Sequence, residues 1–535
     1  MANNDSGNTN AERHRNRRIV EQKIAENEAQ LSAARKAIHV FEGKRYELKE
    51  MLNKTSPIMS SLPFDILSEI FIATSLSESR FERKTRPVQF LIGRICRAWR
   101  SIAWSTPGLW CEVYLELSKN RWEIQKCLLQ EWIERGGSSP LELNFSVSYN
   151  PRDWDPPVDI FQSIMPSCHR WKKLSCSHAF NGLGVALDQT KHKFPLLNAI
   201  YIMSTKKPTT FQRCLTPWNF HSATPHLREL DVHYFTPEPG LGVNWACLTY
   251  LSITFEFGSG RSSEILGLAC SLEVLHCRIF DGSDLIPTFQ LPTYSIPHLK
   301  DVTVEGLTSS VILLLRSLNV PSLQSLTLEM EDGDPDMLWT ETIAELARRS
   351  SCNLVDLDID QNNLEDEVHI LDMLRQLSPS IKTFHLRCYP PFTLSNMIIN
   401  QIDILLQRNE GRQHECLPNL KSFYYNGDIS FTLKAMSHMM QSRQQHFKNR
   451  VASDPGNPLL LANSLRLETE DTENDSTCLQ MLSICIFYSN ANWFHDKHPN
   501  KFYKFCQEVT ALAADGVKLE LGCTEDCEED DSDPE

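Results

Sequence analysis

Residues 354 to 364 read LVDLDIDQNNL, with apolar residues at the first, fourth, sixth and eleventh positions and an asparagine at the ninth. The first half of this phrase, Leu-x-x-Leu-x-Leu with loose substitution, recurs along the chain and is usually introduced by a proline two residues earlier. Most successive copies are 21 to 31 residues apart, so the chain carries an irregular internal repeat. The copies begin at Trp171, Leu197, Leu227, Leu248, Leu272, Leu299, Leu323, Leu354, Ile381 and Leu420.

The repeated phrase predicts one β-strand per copy. We expect Leu326 and Leu328 to point into a core while Thr327 and Glu329 point outward, because side chains alternate along a strand. The residues between copies have a helical pattern, and a strand followed by a helix at this spacing is typical of leucine-rich repeats. The sequence therefore predicts an α/β fold, with an irregular leucine-rich-repeat solenoid over 112–520 and a curved parallel sheet.

A long helix is predicted before the repeats. Between residues 20 and 52, mostly apolar residues recur in steps of four and three, which is the heptad spacing of a coiled coil. Asn27 and Arg45 are the polar exceptions in this seam. We predict a coiled-coil helix over 19–56 whose seam could join two chains into a homodimer; the alternative is a single amphipathic helix folded back on the rest of the chain. The seam positions are Val20, Ile24, Asn27, Leu31, Ala34, Ile38, Phe41, Arg45, Leu48 and Leu52.

Two or three short helices follow, and together they are rich in large apolar side chains. Pro63 suits the first turn of a helix in which residues such as Ile66 and Ile70 form an apolar stripe. After a basic loop, Pro87 opens a second helical pattern that includes Trp99. Helices this short cannot bury so many large side chains among themselves, so the excess implies a binding partner or docking onto the rest of the chain.

Three motifs in this region are Leu62-Pro63-x-x-Ile66-Leu67-x-x-Ile70-Phe71, Ile95-Cys96-Arg97-x-Trp99-Arg100-x-Ile102-Ala103 and Ser105-Thr106-Pro107-x-Leu109-Trp110. Together they resemble an F-box, in the form common among F-box proteins of mushroom-forming fungi. Later segments are similar to the same fungal group, namely Trp132-Ile133-x-Arg135-Gly136, Pro140-Leu141-x-Leu143 and His169-Arg170-Trp171-Lys172-Lys173-Leu174. The resemblance implies a three-helix F-box module over 60–111 that binds a Skp-type adaptor. The adaptor-binding residues that it implies are Leu62, Pro63, Ile66, Leu67, Ile70, Phe71, Ile95, Cys96 and Trp99.

The resemblance also implies a function. An F-box protein with a repeat region is expected to be a substrate-recognition subunit of a Skp-cullin-F-box ubiquitin ligase, in which the repeats bind a protein target and the chain itself is not an enzyme. The alternative is a repeat scaffold that is not linked to degradation, and a third class is an enzyme whose site is assembled from dispersed residues. The outward strand positions that could contact a target include Asp231, His233, Thr327, Glu329, Asp358, Asp360, His385, Arg387 and Tyr424.

Composition excludes several other classes of protein. The net charge is −15 over 535 residues, which argues against general nucleic-acid binding because contact with phosphates needs clustered Lys and Arg. No apolar run is long enough for a membrane span, and the absence of a secretory signal predicts a cytoplasmic or nuclear protein, or both. The 17 cysteines show no Cys-x-x-Cys spacing, so we expect no zinc or other metal site and read Cys176, Cys277 and Cys352 as core residues.

The remaining motifs and the termini give no indication of a catalytic or cofactor site. The chain contains no phosphate-binding loop and no Gly-x-Ser-x-Gly elbow, so we expect no cofactor and assign no catalytic residue. Residues 1–18 are predicted to be a disordered basic tail. Residues 521–535 are predicted to be a disordered acidic tail, because like charges repel and no apolar residue anchors them.

Overall fold

The structure is a computed structural model, and contacts divide the chain into two units. The first unit comprises Met1–Val113 and Leu128–Leu141, and the second comprises Tyr114–Cys127 and Glu142–Glu535. The residues that the structure describes are 6–55, 62–76, 87–147, 154–177, 180–188, 193–202, 224–232, 243–256, 264–280, 292–331, 339–361, 367–388, 392–403, 416–453, 482–488 and 517–523.

The first unit begins with the long helix α1, Ser6–Lys54. The helix starts inside the 1–18 segment, so the prediction of a disordered tail there is wrong from residue 6 onward. Arginine and alanine favour helix and the segment has no proline. An ion pair of 2.8 Å between Arg17 and Glu21, one turn apart, also supports this start.

Three short helices follow α1, and the second helical pattern of the sequence is divided in two. Helix α2 is Phe64–Leu76, α3 is Val88–Ile95 and α4 is Arg97–Trp104. Cys96 separates α3 from α4 with an extended backbone at φ −157° and ψ 170°. Its sulfur accepts a hydrogen bond from the backbone N–H of Trp99 at 3.4 Å, so Cys96 acts as the N-cap of α4.

The second unit is built on a 14-stranded sheet in which the strands follow one another in chain order. The twelve strands from β3 onward pair in parallel. The strands are β1 Glu112–Leu117, β2 Leu141–Val147, β3 Trp171–Cys176, β4 Ala199–Ile202, β5 Glu229–Val232, β6 Tyr250–Glu256, β7 Val274–Phe280, β8 Asp301–Leu307, β9 Ser325–Glu331, β10 Asp356–Gln361, β11 Thr383–Cys388, β12 Ser422–Asn426, β13 Leu482–Tyr488 and β14 Val517–Cys523.

Helices connect many of these strands. They are α5 Trp122–Arg135, α6 Val158–Gln162, α7 Asn181–Asp188, α8 Glu264–Leu268, α9 Thr308–Ser317, α10 Trp339–Ser350, α11 Glu367–Leu377, α12 Asn396–Ile402 and α13 Leu433–Ser453. Helices α9, α10 and α11 pack on one another in sequence. Arg349 of α10 donates hydrogen bonds to the carbonyls of Leu315 and Leu318, at 2.8 and 2.7 Å, and so ties α10 to the end of α9.

The repeated phrase marks the strands as predicted. After the first copy, in which Trp171 itself opens β3, each copy begins two residues before a strand of the sheet. All ten first residues are buried, with exposed fractions of 5% or less. The prediction of an α/β fold with a long N-terminal helix and a large parallel sheet is confirmed. Strands β1, β2, β13 and β14 were not among the ten predicted copies, although Leu479-x-x-Leu482-x-Ile484 at β13 fits the loose form of the phrase.

The alternation within the strands is also confirmed. In β9, Leu326, Leu328 and Met330 are buried, whereas Thr327 and Glu329 lie on the other side of the sheet. The buried residues of the neighbouring strands are in register with them, so the same face of each strand forms the core. Cys176 and Cys277 are buried in this core as expected, while Cys352 is half-buried.

The described residues give two further outcomes. Strand β14 extends to Cys523, so the predicted acidic tail over 521–535 begins three residues too early, and its remainder lies outside the described residues. In the described part of the chain, no helix combines the length and the apolar character needed to cross a bilayer.

Gly306 in β8 provides a test of the sheet packing. Its φ is +152°, and an added Cβ would lie 2.6 Å from the carbonyl oxygen of Ile279. We expect Gly306→Ala to lower the free energy of unfolding by about 2 to 4 kcal/mol, from backbone strain and overpacking. Gly267→Ala is the control, because its Cβ would make an ordinary contact at 3.5 Å with the ring of Tyr294. Denaturant unfolding of both variants measures the difference, and equal stabilities would contradict the prediction.

Candidate functional site

The short helices of the first unit enclose a core rich in aromatic side chains. Its buried members are Phe71, Val88, Ile92, Ala103, Leu109 and Trp110. Around them, the ring centroids of Trp110 and Trp132 are 5.1 Å apart, and those of Phe71 and Trp99 are 5.0 Å apart. The guanidinium of Arg135 lies 4.8 Å from the ring centre of Trp110, which is a cation–π contact. Trp132 and Arg135, which belong to a later motif of the sequence, therefore complete this helical core.

Three hydrogen bonds from side chains to backbone carbonyls connect polar groups in and around the helical core. The side chain of Gln89 donates to the carbonyl of Leu109, and the indole N–H of Trp110 donates to the carbonyl of Ala103, both at 2.8 Å. The guanidinium of Arg100 donates to the carbonyl of Gly93 at 2.7 Å. A buried donor or acceptor without a partner would be costly, so these bonds hold the short helices in one arrangement.

Several large apolar side chains of these helices point away from the core. Ile66 and Ile70, one turn apart on α2, are 48% and 46% exposed, and Leu91 and Ile95, one turn apart on α3, are 43% and 56% exposed. Phe64 at the start of α2 is 48% exposed. We call these five residues the helical surface. An exposed set of this kind on a closed core is typical of a protein-binding site.

The structure divides the predicted adaptor-binding residues into three groups by exposure. Phe71, 1% exposed, belongs to the helical core, and Leu67 is also buried at 2%, so neither side chain is available for a partner to touch. Pro63, Ile66, Ile70 and Ile95 are exposed, whereas Leu62, Cys96 and Trp99 are half-buried. The sequence reasoning missed Phe64 and Leu91. The helical phase of Leu91, on the opposite side of α3 from the buried Gln89 and Gly93, could have identified it. Phe64 has the phase of the buried Leu67 and Phe71 and is the first residue of α2, so periodicity gives no signal for its exposure.

The second candidate surface is the polar side of the parallel sheet. One row of outward residues crosses it in register, running from His276 through Thr303, Thr327, Asp358 and His385 to Tyr424. We call the outward side chains of β3 to β12 the sheet face. Asp231 also lies on it, in register with Tyr201 and Ser252. His233 lies outside the described residues.

Five of the predicted target-contact residues come together at β10 to β12. Asp358 pairs with Arg387 at 3.1 Å and with the ring Nδ1 of His385 at 3.4 Å. Arg387 also pairs with Asp360, at 2.9 Å. The ring of His385 is 5.3 Å from that of Tyr424. These contacts preorganise a polar cluster with an aromatic edge, which suits contact with a peptide or protein surface.

A second group of outward residues, at β4 to β8, was not predicted. Tyr201 is hydrogen-bonded to Glu229, the hydroxyl of Tyr250 lies 3.3 Å from Nδ1 of His276, and Arg278 forms an ion pair with Glu305. Like the predicted residues, they occupy the alternate strand positions whose side chains point outward. The phrase is only loosely kept in these strands, so the sequence did not show which residues pair across them. The structure shows that pairing.

Burial on the sheet face raises the pKa of several carboxyl groups. The pKa of Glu329 is raised first by burial and then by the neighbouring carboxylate of Glu305. Burial also raises the pKa of Asp301, and that of Asp360 despite its pairing with Arg387. Burial is the main cause of all three shifts, and neighbouring carboxylates add to it, Glu305 for Glu329, Asp356 for Asp301 and Asp358 for Asp360.

The described residues contain no cluster of three His, Cys, Asp or Glu side chains suited to a metal ion. The half-buried charges of the sheet face pair with one another across the strands instead.

The raised pKa of Glu329 predicts a pH-dependent effect. A carboxyl whose pKa is higher in the folded protein than in the unfolded chain lowers the stability at pH values above the folded pKa, and this cost disappears as the pH falls below the ordinary value of 4.5. We therefore expect Glu329→Gln to raise the melting temperature relative to wild type at pH 7 and to have little effect at pH 4. Thermal unfolding at both pH values measures this, and the same shift at both would contradict the assigned direction.

Comparison with known proteins assigns no family. No protein-family model matches the chain, and no curated protein matches it. A crystal structure of a Bacteroides fragilis protein, solved as a structural genomics target, is 16% identical and covers 49% of this chain and 67% of its own, with a TM-score of 0.30. That likeness is too weak to support an argument about fold or function.

Proposed function

We propose that this chain is the substrate-recognition subunit of a Skp-cullin-F-box ubiquitin ligase. The observation that carries the proposal is the helical surface: Ile66, Ile70, Leu91 and Ile95 stay exposed although the helical core beneath them is complete. The motifs that resemble an F-box lie on the same helices. Covering the exposed side chains with a Skp-type adaptor would remove apolar area from water, at about 25 cal/mol per Å² before the costs of association.

The parallel sheet would hold the target. We interpret the second unit as a leucine-rich-repeat solenoid, because its strands follow chain order and the repeated phrase marks most of them. Acidic residues outnumber basic ones on the sheet face, so we expect the contact segment of the target to be basic. The acidic residues are Glu229, Asp231, Asp301, Glu305, Glu329, Glu331, Asp356, Asp358 and Asp360, and the basic ones are Lys173, Arg278 and Arg387.

Such a receptor needs no catalytic residue of its own. The adaptor and a cullin would connect it to a conjugating enzyme, and the bound target would place its lysines near that enzyme at a high effective concentration. The ligase would act in the cytoplasm, the nucleus or both. The alternative is a scaffold that binds the adaptor, or another helical partner, without a cullin and without directing degradation.

The helical surface gives a direct test by co-expression with a fungal Skp-type adaptor. We expect Ile66→Arg/Ile70→Arg to reduce recovery of the adaptor at least roughly tenfold, because two charges would have to be buried at the interface. Affinity capture followed by quantification of the adaptor and the cullin is the measurement. Both positions are exposed, so the variant should keep the wild-type melting temperature.

Val368→Arg is the matched control, because Val368 is 42% exposed on α11, outside the helical surface. It should recover the adaptor as wild type does. Equal recovery by the double variant and by wild type, or no recovery by either, would overturn the proposal. Recovery of the adaptor without a cullin would favour the scaffold.

The sheet face is tested by trapping targets while proteasomes are blocked. We expect Glu329→Lys to reduce the amount of the main trapped proteins several-fold, because the change reverses charge in the most acidic part of the face. Adaptor recovery should not change. Glu341→Lys, a reversal at an exposed position of α10, is the control. Quantitative mass spectrometry of the captured proteins measures the effect, and identical target profiles for wild type and Glu329→Lys would argue against this face.

A further inference from the structure

Helix α1 exposes its apolar side chains along its described length. Every residue from Arg13 to Lys49 is exposed, and among the seam residues Phe41 is 68%, Leu48 66% and Leu52 71% exposed. Helices in proteins are stabilised mainly by packing of an apolar face, not by propensity alone. A 49-residue helix with a heptad seam this exposed therefore requires a second helix.

We propose that two copies of the chain pair antiparallel through α1, in the register that centres both helices on Lys36. In an antiparallel coiled coil, each seam residue of one heptad class faces a residue of the other class on the second helix. In this register all ten seam residues of each helix face a seam residue of the other, and the first residue of each seam faces the last residue of the other. The facing pairs are Val20 with Leu52, Ile24 with Leu48, Asn27 with Arg45, Leu31 with Phe41, and Ala34 with Ile38.

The two polar seam residues determine this choice. At the register centred on Lys36, the guanidinium of Arg45 faces Asn27 of the second copy, whose side-chain oxygen can accept its hydrogen bond. Moving the register by one heptad in either direction places Arg45 against Val20 or Ala34 and leaves end residues without a facing residue. Because an unpaired polar group in a seam is costly, the matched register is favoured.

Charges beside the seam favour the same arrangement. Side chains on a helix lean toward its own N-terminus. In the antiparallel register this brings Glu28 near Lys49 of the second copy and Arg35 near Glu42 of the second copy. Each of these contacts occurs twice because the dimer is symmetric.

A parallel pairing is less favourable. Identical positions face each other in a parallel dimer, so the amides of Asn27 could pair but Arg45 would lie against Arg45, where two like charges repel. The parallel pairing offers an attraction between Lys23 and Glu28 but sets Lys44 against Lys49. It would also bring together the basic N-terminal turns of the two helices.

Asn27→Asp in the full-length chain separates the two arrangements. In the antiparallel dimer the new carboxylate faces Arg45, so we expect the dimer dissociation constant to fall roughly three- to tenfold. In a parallel dimer two carboxylates would face each other and the constant would rise. Sedimentation velocity over a concentration series measures the constant. Ser32→Asp, which adds the same charge on the far side of α1 from the seam, should leave it unchanged.

A photo-crosslink gives an independent readout of the register. With p-benzoylphenylalanine at position 24, we expect mass spectrometry to find crosslinks near Leu48 of the second copy. Crosslinks near position 24 together with weaker dimerisation of Asn27→Asp would overturn the antiparallel register. A chain that stays monomeric at all concentrations would overturn the pairing itself. Neither result depends on adaptor capture, so this proposal and the ligase proposal fail separately.

Discussion

The structure depends on the in-register parallel pairing of strands that each bury the same alternating positions. A slip of one residue would turn every buried leucine to the polar side, so the register must be held at each strand. The buried apolar residue two positions before most strands does this: Leu323, Leu354 and Ile381 are 2% exposed or less. Their neighbours' backbone N–H groups bond to the preceding repeat, as in the bonds from Val355 and Asp356 to the carbonyl of Gln324 at 2.7 and 2.9 Å. The buried residue and the backbone pairing thus hold each strand against the one before it.

This local rule explains what could be predicted. Where the phrase is clear, as at Leu354, the strand, its inward residues and its outward Asp358 and Asp360 follow from the sequence alone. The cross-strand partners did not follow, because the distance between copies varies and pairing is set by the folded sheet. The contact of Arg387 with both of these aspartates is therefore a property of the structure. Strand β14 was missed because no large apolar residue stands at the first position of the phrase, three residues before Val517. Strand β13 was missed although Leu479-x-x-Leu482-x-Ile484 fits the loose form, because it follows the last recognised copy, at Leu420, by an unusually long interval.

The helical surface shows a different limit. The sequence indicated an excess of apolar side chains but not their division between core and surface. On α2, Leu67 and Phe71 lie one turn apart, as do Ile66 and Ile70, so both pairs satisfy helical periodicity. The later aromatic residues decide between them, because Trp99 packs against Phe71 and fixes which side of α2 is inside. A motif names the residues of a helix, whereas tertiary packing determines which of them remain available to a partner.

Helix α1 has no packed face between Arg13 and Lys49, and the orientation of the proposed pairing has consequences for binding. Residues 20–52 form a helix about 50 Å long at 1.5 Å per residue. In an antiparallel dimer the two chains leave this helix pair at opposite ends, whereas a parallel dimer would release both at one end. In the proposed dimer the two helical surfaces would follow opposite ends of the helix pair in the chain, so each would have its own approach for an adaptor. A target with two contact segments could then bind both copies, and its second binding step would be intramolecular.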